Sequence, residues 1–462
     1  MKQELITISP IDGREVVRRP YVDETTLAAM LERAQAAQPA WRARPLNERK
    51  ALVSAAVERF VAMRDEVAHA ITLQMGRPLR YTPGEVDGFA ARARHMIDIA
   101  DTALAPVAVA PQAGFTRYIK REPIGVVLTI APWNYPLLTA VNSIVPALVA
   151  GNVVILKHSE QTPLCAERMH RAFVEAGLPA DVFQFVHANH EMTQRLIAAP
   201  EIGYVSFTGS VNGGRMVERT AAGRFIGVGL ELGGNDPAYV RADAKLDHAV
   251  ETLVDGAFFN SGQSCCGIQR IYVADSIYDT FVEHAVALTQ QYVLGDPMLP
   301  ETTLGPLVRV SAADGVRAIL ADAAERGARN LIDAKRFAAD RDGTAYLAPA
   351  LLVDVDHSMT LMNDECFGPA VGIMRVKDDD DAIQWMNDSP YGLTAAVFTR
   401  DEDAAVRIGE RVSTGTFFMN RCDYLDPALA WTGVKNTGRG ASLSVIGYEH
   451  LTQPKSFHLR SL

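Results

Sequence analysis

From Glu24 to about Ala70 the apolar residues return at helical intervals. Leu52, Ala56, Phe60 and Met63 are spaced by four, four and three, one apolar stripe with charged residues opposite. From Gly125 onward the pattern changes. Short runs rich in β-branched residues, at 126–130, 153–156, 182–186, 204–207 and 226–230, alternate with helical stretches. This predicts βαβ units around a buried, mostly parallel sheet. A second series begins after Cys265 and includes 268–273, 351–355, 371–374 and 395–398. The expected fold class is α/β, with two α/β domains in sequence. Residues 115–122 alternate apolar and charged and read as a strand outside both cores, as do 455–459. Unpaired strand edges tend to find partners, which predicts a homo-oligomer.

Length and composition narrow the class. The chain has 462 residues, and single cores stop growing at about 250–300, so two or three domains are expected. A formal charge of -10 opposes a general affinity for nucleic acid, whose phosphates demand a basic face. The run Asp378-Asp379-Asp380-Asp381 reads as a solvated helix start favoured by the helix dipole. Five cysteines, at 165, 265, 266, 366 and 422, have neither a pairing pattern nor C-x-x-C spacing. No metal site is expected, and a reducing cytosol fits. Met1-Lys2-Gln3-Glu4-Leu5 has no apolar core of a secretory signal. The most apolar stretch, 144–156, is interrupted by Pro146, Gly151 and Asn152 and falls short of the ~20 residues a membrane span needs. A cytoplasmic protein without nucleic-acid or membrane partners is the expectation.

The candidate chemistry begins at Phe259-Asn260-Ser261-Gly262-Gln263-Ser264-Cys265-Cys266, which ends a small, turn-forming run in a thiol. A thiol there is held on a tight backbone, near a main-chain N–H that can face an oxyanion. Upstream, Leu230-Glu231-Leu232-Gly233-Gly234 sets a carboxylate beside two glycines, which permit close approach to the backbone. A thiol nucleophile and a carboxylate base can form and then break a thioester. A free thiol has a pKa of about 8.5 and is only slightly ionised at neutral pH, so it needs a helping environment. Taken alone, Cys265 reads as a small buried hydrophobe; the surrounding runs reverse that reading. Lys157 and Glu160 follow a predicted strand, at the carboxyl end where open α/β sheets bind ligands. Alone, Lys157 reads as a solvated lysine, and for Phe367 core packing is the competing reading. The ordinary G-x-G-x-x-G fingerprint is absent, since Gly227-Val228-Gly229 lacks its third glycine.

These two runs resemble the aldehyde dehydrogenase superfamily. So do Pro132-Trp133-Asn134-Tyr135-Pro136, Lys157-His158-Ser159-Glu160, Phe207-Thr208-Gly209-Ser210 and Glu365-Cys366-Phe367-Gly368-Pro369, in family order and at family-like spacing. The resemblance runs from about Ile8 to the C-terminus. It implies two Rossmann-like α/β domains plus a small β oligomerisation extension. Residues 1–104 and 124–231 would form the NAD-binding domain and 232–440 the catalytic domain. Residues 105–123 and 441–462 would bridge subunits of a homodimer or homotetramer.

The resemblance also implies the chemistry. Cys265 attacks an aldehyde, Asn134 and the Cys265 N–H face the oxyanion, and Glu231 activates the water that hydrolyses the thioester to the acid. Glutamate at 231 implies hydrolysis rather than transfer to coenzyme A. Cys266 reads as a pocket wall, with a vicinal disulfide to Cys265 as the alternative. Cofactor contacts are implied at Ile130, Trp133, Lys157, Glu160, Gly209, Ser210, Leu232, Glu365 and Phe367. Glu160 matches the position facing the adenosine ribose, where a carboxylate would repel a 2′-phosphate, so NAD is expected ahead of NADP. Tyr135, Asn142 and Trp431, with Thr139 and Leu425, match the substrate tunnel and suit a short polar aldehyde or a compact aromatic one equally. Arg421 reads as bound to backbone or solvent ahead of pairing with a substrate carboxylate.

Three departures from the family pattern stand out: Asn235 for lysine, His158 for proline and Trp431-Thr432-Gly433 for Phe-Gly-Gly. Two other classes compete. A non-catalytic NAD-binding or structural protein would not need Cys265, Glu231 and Asn134 together. A cysteine hydrolase would leave the cofactor motifs without purpose.

Overall fold

The computed structural model describes residues 4–461; Met1, Lys2 and Gln3 of the N-terminal stretch read above, and Leu462, lie outside them. The helical pattern over 24–70 divides into three helices, Glu24–Ala43, Leu46–Val61 and Arg64–Met75. Pro45 caps the second, where its fixed φ and missing N–H end one helix and permit the next. Ala56 and Phe60 of the apolar stripe are fully buried. They share a core with the helices Thr82–Asp98 and Leu138–Ala150.

Six strands form the first sheet, in the order Gly438–Arg439, Gly227–Glu231, Ile202–Thr208, Val126–Ala131, Val153–His158, Phe183–Val186. All neighbours are parallel except the first pair. Successive side chains of a strand point to opposite faces. Val127, Val154 and Leu156 accordingly enter one core and Val126, Leu128, Val153 and Ile155 another. Burial on both faces is why these strands read as unbroken apolar runs.

The second sheet has seven strands, in the order Arg329–Asn330, Ala350–Val353, Ala370–Val376, Ile268–Ala274, Asp236–Val240, Thr394–Phe398, Thr416–Met419. It is parallel apart from its short first strand. Asp236–Val240 was not among the expected runs, because Asp236 and Pro237 are poor strand formers. The buried Asp236 carboxylate is satisfied there by Thr394, which donates from its N–H at 3.1 Å and its hydroxyl at 2.6 Å. Glu231 closes a strand of the first sheet and Asp236 opens one of the second, so 232–235 cross between them.

A third, small antiparallel sheet joins Thr452–Arg460, Phe115–Pro123 and Val107–Ala108. The two segments read as lone strands pair with each other within the chain, with Tyr118 stacked on Phe457 at 4.8 Å between ring centroids. The sequence pattern did not single out the hairpin Glu4–Ile8 and Glu15–Pro20. Its Thr7 hydroxyl donates to the Glu160 carbonyl at 2.7 Å, which brings the hairpin beside a predicted cofactor residue. No helix among the described residues is long and apolar enough to cross a membrane.

Candidate active site

The turn that carries the thiol is strained. Asn260 and Ser261 both have φ of 55° and Gly262 has φ of 70°, three successive residues in a region that disfavours side chains. Side-chain bonds hold it. Asn260 Nδ2 donates to the carbonyls of Gln263 at 3.1 Å and Asn134 at 3.3 Å, and Ser261 Oγ donates to Gly305 O at 2.8 Å. A Cβ on Gly262 would lie 2.0 Å from Gly368 O, so only glycine fits. Beyond the turn, Cys265 is half-buried and Cys266 buried, and all five cysteines are free thiols. The Cys266 thiol donates to Asp423 Oδ1 at 2.8 Å. Its hydrogen bond with Cys265, then burial and Asp423, hold it protonated, well above the ordinary thiol range.

Asn134 lies against the same turn, its Nδ2 donating to Gln263 O at 3.2 Å. Behind it is a buried ion pair of Arg77 and Glu85. Arg77 Nε donates to Asn260 Oδ1 at 2.9 Å and its Nη2 to Asn134 O. Glu85 accepts the Leu137 N–H at 2.8 Å. One charge pair thus ties the thiol's turn to the Asn134 loop and to the start of the helix Leu138–Ala150. Nothing in the sequence pattern had singled out Arg77 or Glu85.

Glu231 ends its strand facing the thiol's cavity. Its Oε1 accepts from Ser442 Oγ at 2.6 Å and its Oε2 from Thr208 Oγ1 at 3.0 Å. Burial raises its pKa above the usual glutamate value, while the bonds from Ser442, Thr208 and Asn142 and the charge of Arg92 oppose the rise. Thr208 lies in a motif quoted above. Ser442 is 211 residues from Glu231 and carried no sequence signal.

Cys265 and Glu231 line one cavity of about 710 Å³, together with Tyr135, Asn142 and Trp431. Thr139, Leu425 and Arg92 also line it, and Asn134 stands behind the wall, 5% exposed. Arg421 does not line it; its guanidinium lies 3.4 Å from the centre of the Tyr424 ring.

The remaining predicted residues gather at the carboxyl ends of the first sheet. Ser210 caps the helix Val211–Ala221, its Oγ accepting from Gly213 N at 3.2 Å, and Gly209 N donates to Glu231 O at 3.0 Å. Trp133 meets Phe367 edge to face at 5.6 Å, and Ile130 is buried in a core shared with Leu232. Burial pushes the Glu365 carboxyl up to about 7, against the 3.1 Å bond from Gly234 N. A Cβ on Gly233 would lie 2.5 Å from that carboxylate, so a side chain there would displace Glu365. Leu232 and Arg215 line a second concavity of about 440 Å³ along the same helix, beside Lys435 and Arg439. His158, the departure from proline, bonds Pro136 O at 2.9 Å, and burial lowers its pKa to about 4. A neutral imidazole thus fastens the strand end to the Asn134 loop.

Lys157 is half-buried and joins no ion pair among the described residues. Burial lowers its pKa, and the charge of Glu160 opposes the shift. An uncompensated cation at a strand end, beside a capped helix N-terminus, fits the phosphates of a dinucleotide.

A model of the aldehyde dehydrogenase family matches residues 1–457. Over 449 residues the chain is 36% identical to a succinate-semialdehyde dehydrogenase [NADP(+)] of Deinococcus radiodurans, covering 97% of this chain and 93% of that one. It is 32% identical to the succinate-semialdehyde dehydrogenase [NADP(+)] of Escherichia coli, with 97% and 92% covered. The crystal structure of succinic semialdehyde dehydrogenase from Streptococcus pyogenes with NADP+ superposes with a TM-score of 0.94 at 28% identity, covering 99% and 100%.

These names overturn the expectation of NAD, which rested on Glu160 repelling a 2′-phosphate. Tyr21 lies close enough to Glu160 to be affected by it: burial first, and Glu160 second, raise the Tyr21 pKa. A tyrosine 139 positions upstream beside this carboxylate is a neighbour that the sequence position alone did not imply. On the family model, the relatives and the shared fold, the chain belongs to the aldehyde dehydrogenase family.

Proposed function

We propose that this protein oxidises an aldehyde to the carboxylic acid with NADP. Cys265 Sγ attacks the carbonyl carbon, and the resulting oxyanion faces the Asn134 side-chain N–H and the Cys265 main-chain N–H. Losing one such donor typically costs about 10²–10³ in rate. Bound NADP supplies the acceptor for the hydride that leaves as the thiohemiacetal becomes a thioester. Glu231 then takes a proton from the water that attacks the thioester carbon, and the acid leaves as Cys265 regains its proton. Lys157 and the capped start of the helix Val211–Ala221 would hold the cofactor's adenosine and phosphate end. Trp133, Leu232, Glu365 and Phe367 would hold its nicotinamide end. In this reading residues 1–104 and 124–231 carry the cofactor, 232–440 the nucleophile, and the small sheet of 105–123 and 441–462 associates with a second copy of the chain.

The observation that carries the proposal is the shared cavity of Cys265 and Glu231, with Asn134 behind the thiol's strained turn. The NADP(+) relatives support the cofactor, as does Lys157, which joins no ion pair among the described residues. Aldehyde-dependent reduction of NADP and of NAD, measured for the wild type, Cys265→Ala and Cys266→Ala, tests it. We expect NADP to exceed NAD in kcat/KM by about tenfold or more, equivalent to ~1.4 kcal/mol. Cys265→Ala should lose turnover and Cys266→Ala keep most of it. Equal loss in both variants would mean the wrong sulfur, and NAD-dependent turnover as efficient as NADP-dependent turnover would sink the cofactor.

A further inference from the structure

The cavity contains a cation that the chemistry of Cys265 and Glu231 does not use. Arg92, in the helix Thr82–Asp98, is 8% exposed and lines the cavity. Its Nη1 donates to Leu138 O at 2.7 Å and to Asn142 Oδ1 at 3.3 Å. A guanidinium carries five N–H donors, which leaves those of Nε and Nη2. Among the described residues Arg92 joins no ion pair. Arg77, the other arginine of the cavity, is spent on Glu85, Asn260 and Asn134.

Glu231 and Glu85, the two carboxylates whose charge reaches Arg92, have other partners. Glu231 is held by Ser442 and Thr208, and Glu85 by Arg77 and the Leu137 N–H. Glu251, Asp255 and Asp423 also line the cavity, but Asp423 takes bonds from Cys266 and Ser264. Its charged neighbours are Asp255 and Arg77, whereas those of Arg92 are Glu231 and Glu85. A buried charge without a partner is costly, and it is tolerated where a ligand brings the counter-ion.

We infer that Arg92 binds the anionic end of the substrate, so that the aldehyde is a short semialdehyde bearing a carboxylate. This rests on the reading of Cys265 and Glu231 given above. The carboxylate accepts from the open edge of the guanidinium, whose fork matches two oxygens, while the carbonyl carbon lies at Cys265. An uncharged aldehyde leaves that edge unpaired. The opposite choice, an aldehyde bearing an amine, would turn to Asp255 and Asp423. Burial holds both above the ordinary carboxylate range, Asp423 at about 7, which weakens their hold on a cation. Asn142 bonds both Arg92 and Glu231, so a purely positioning role for Arg92 predicts equal losses on all aldehydes.

Steady-state kinetics with NADP on succinate semialdehyde, butanal and 4-aminobutanal, for the wild type, Arg92→Gln and Arg92→Lys, test the inference. The wild type should favour succinate semialdehyde over both others by about tenfold or more in kcat/KM. At a pH on the high plateau, where Glu231 is ionised with or without the Arg92 charge, Arg92→Gln should lose about 10- to 100-fold on succinate semialdehyde, chiefly through KM, and less than about threefold on butanal. Arg92→Lys should recover part of the loss. Equal losses on both aldehydes would overturn the inference, as would a wild-type preference for butanal or 4-aminobutanal. Calorimetric titration of the wild type with succinate and with succinamide keeps the question open to refutation if the variants do not fold. It also does so if no aldehyde is oxidised, a result that removes the proposed function by itself. Succinate should bind more tightly, and equal binding would overturn the assignment.

Discussion

Ser442→Ala should move the acid limb of thioester hydrolysis to higher pH. Glu231 takes a proton from water only when ionised, so hydrolysis falls as pH drops through its pKa. Burial already raises that pKa, and the 2.6 Å bond from Ser442 is one of the bonds that hold it down. A hydrogen bond to a charged group contributes about 1.5–3 kcal/mol, and one pKa unit corresponds to about 1.36 kcal/mol. Complete loss would therefore raise the pKa by about 1–2 units. Because Thr208 and Asn142 still serve the carboxylate, the expected shift is near the lower end, about one unit. The assay is single turnover with saturating NADP and aldehyde, quenched at intervals to follow the thioester across pH. The half-maximal pH should rise by about one unit, while the plateau at high pH changes less than about threefold. Thr208→Val should move the limb the same way. An unmoved limb, or a uniform loss at every pH, would refute the idea that Ser442 acts on the proton affinity of Glu231.

Gly234→Ala should damage the nucleophile directly, because a Cβ there would lie 2.2 Å from the Cys265 carbonyl oxygen. The backbone must yield, and misplacement by about 1 Å costs roughly 10²-fold, so kcat near the wild-type value would contradict the account of the turn. Ending the chain after Gln453 removes most of the strand paired with Phe115–Pro123 and the Tyr118–Phe457 stack. Lower Tm and weaker association by light scattering are expected, and a monomer of full activity in the intact chain would refute the proposed assembly.

The alternating runs were legible along the chain because strands buried on both faces must be apolar throughout. Val126–Ala131 and Val153–His158 accordingly match their predicted runs within two residues. The thiol's motif was legible for a comparable reason. Left-handed backbone at 260–262 favours glycine and asparagine, which stand at 262 and 260, a local demand that leaves a local mark. The same holds for Gly234 in the run after Glu231, where the close approach of the Cys265 backbone excludes a side chain.

What tertiary structure alone decided is the partner of each charge. Arg92 stands in Ala90-Ala91-Arg92-Ala93-Arg94, where nothing local distinguishes a buried arginine from a solvated one. Packing of its helix against Leu138–Ala150 turns Arg92 inward, while Arg94 remains outside and pairs with Glu58. Glu160 follows a strand end, yet the group beside it is Tyr21 from the N-terminal part of the chain, and the NADP(+) relatives overturn the cofactor expectation drawn from its position alone. Ser442 reaches Glu231 across 211 residues. Periodicity and turn chemistry are local properties of a chain. Electrostatic partners are distances between residues far apart in sequence, and only the folded molecule sets them.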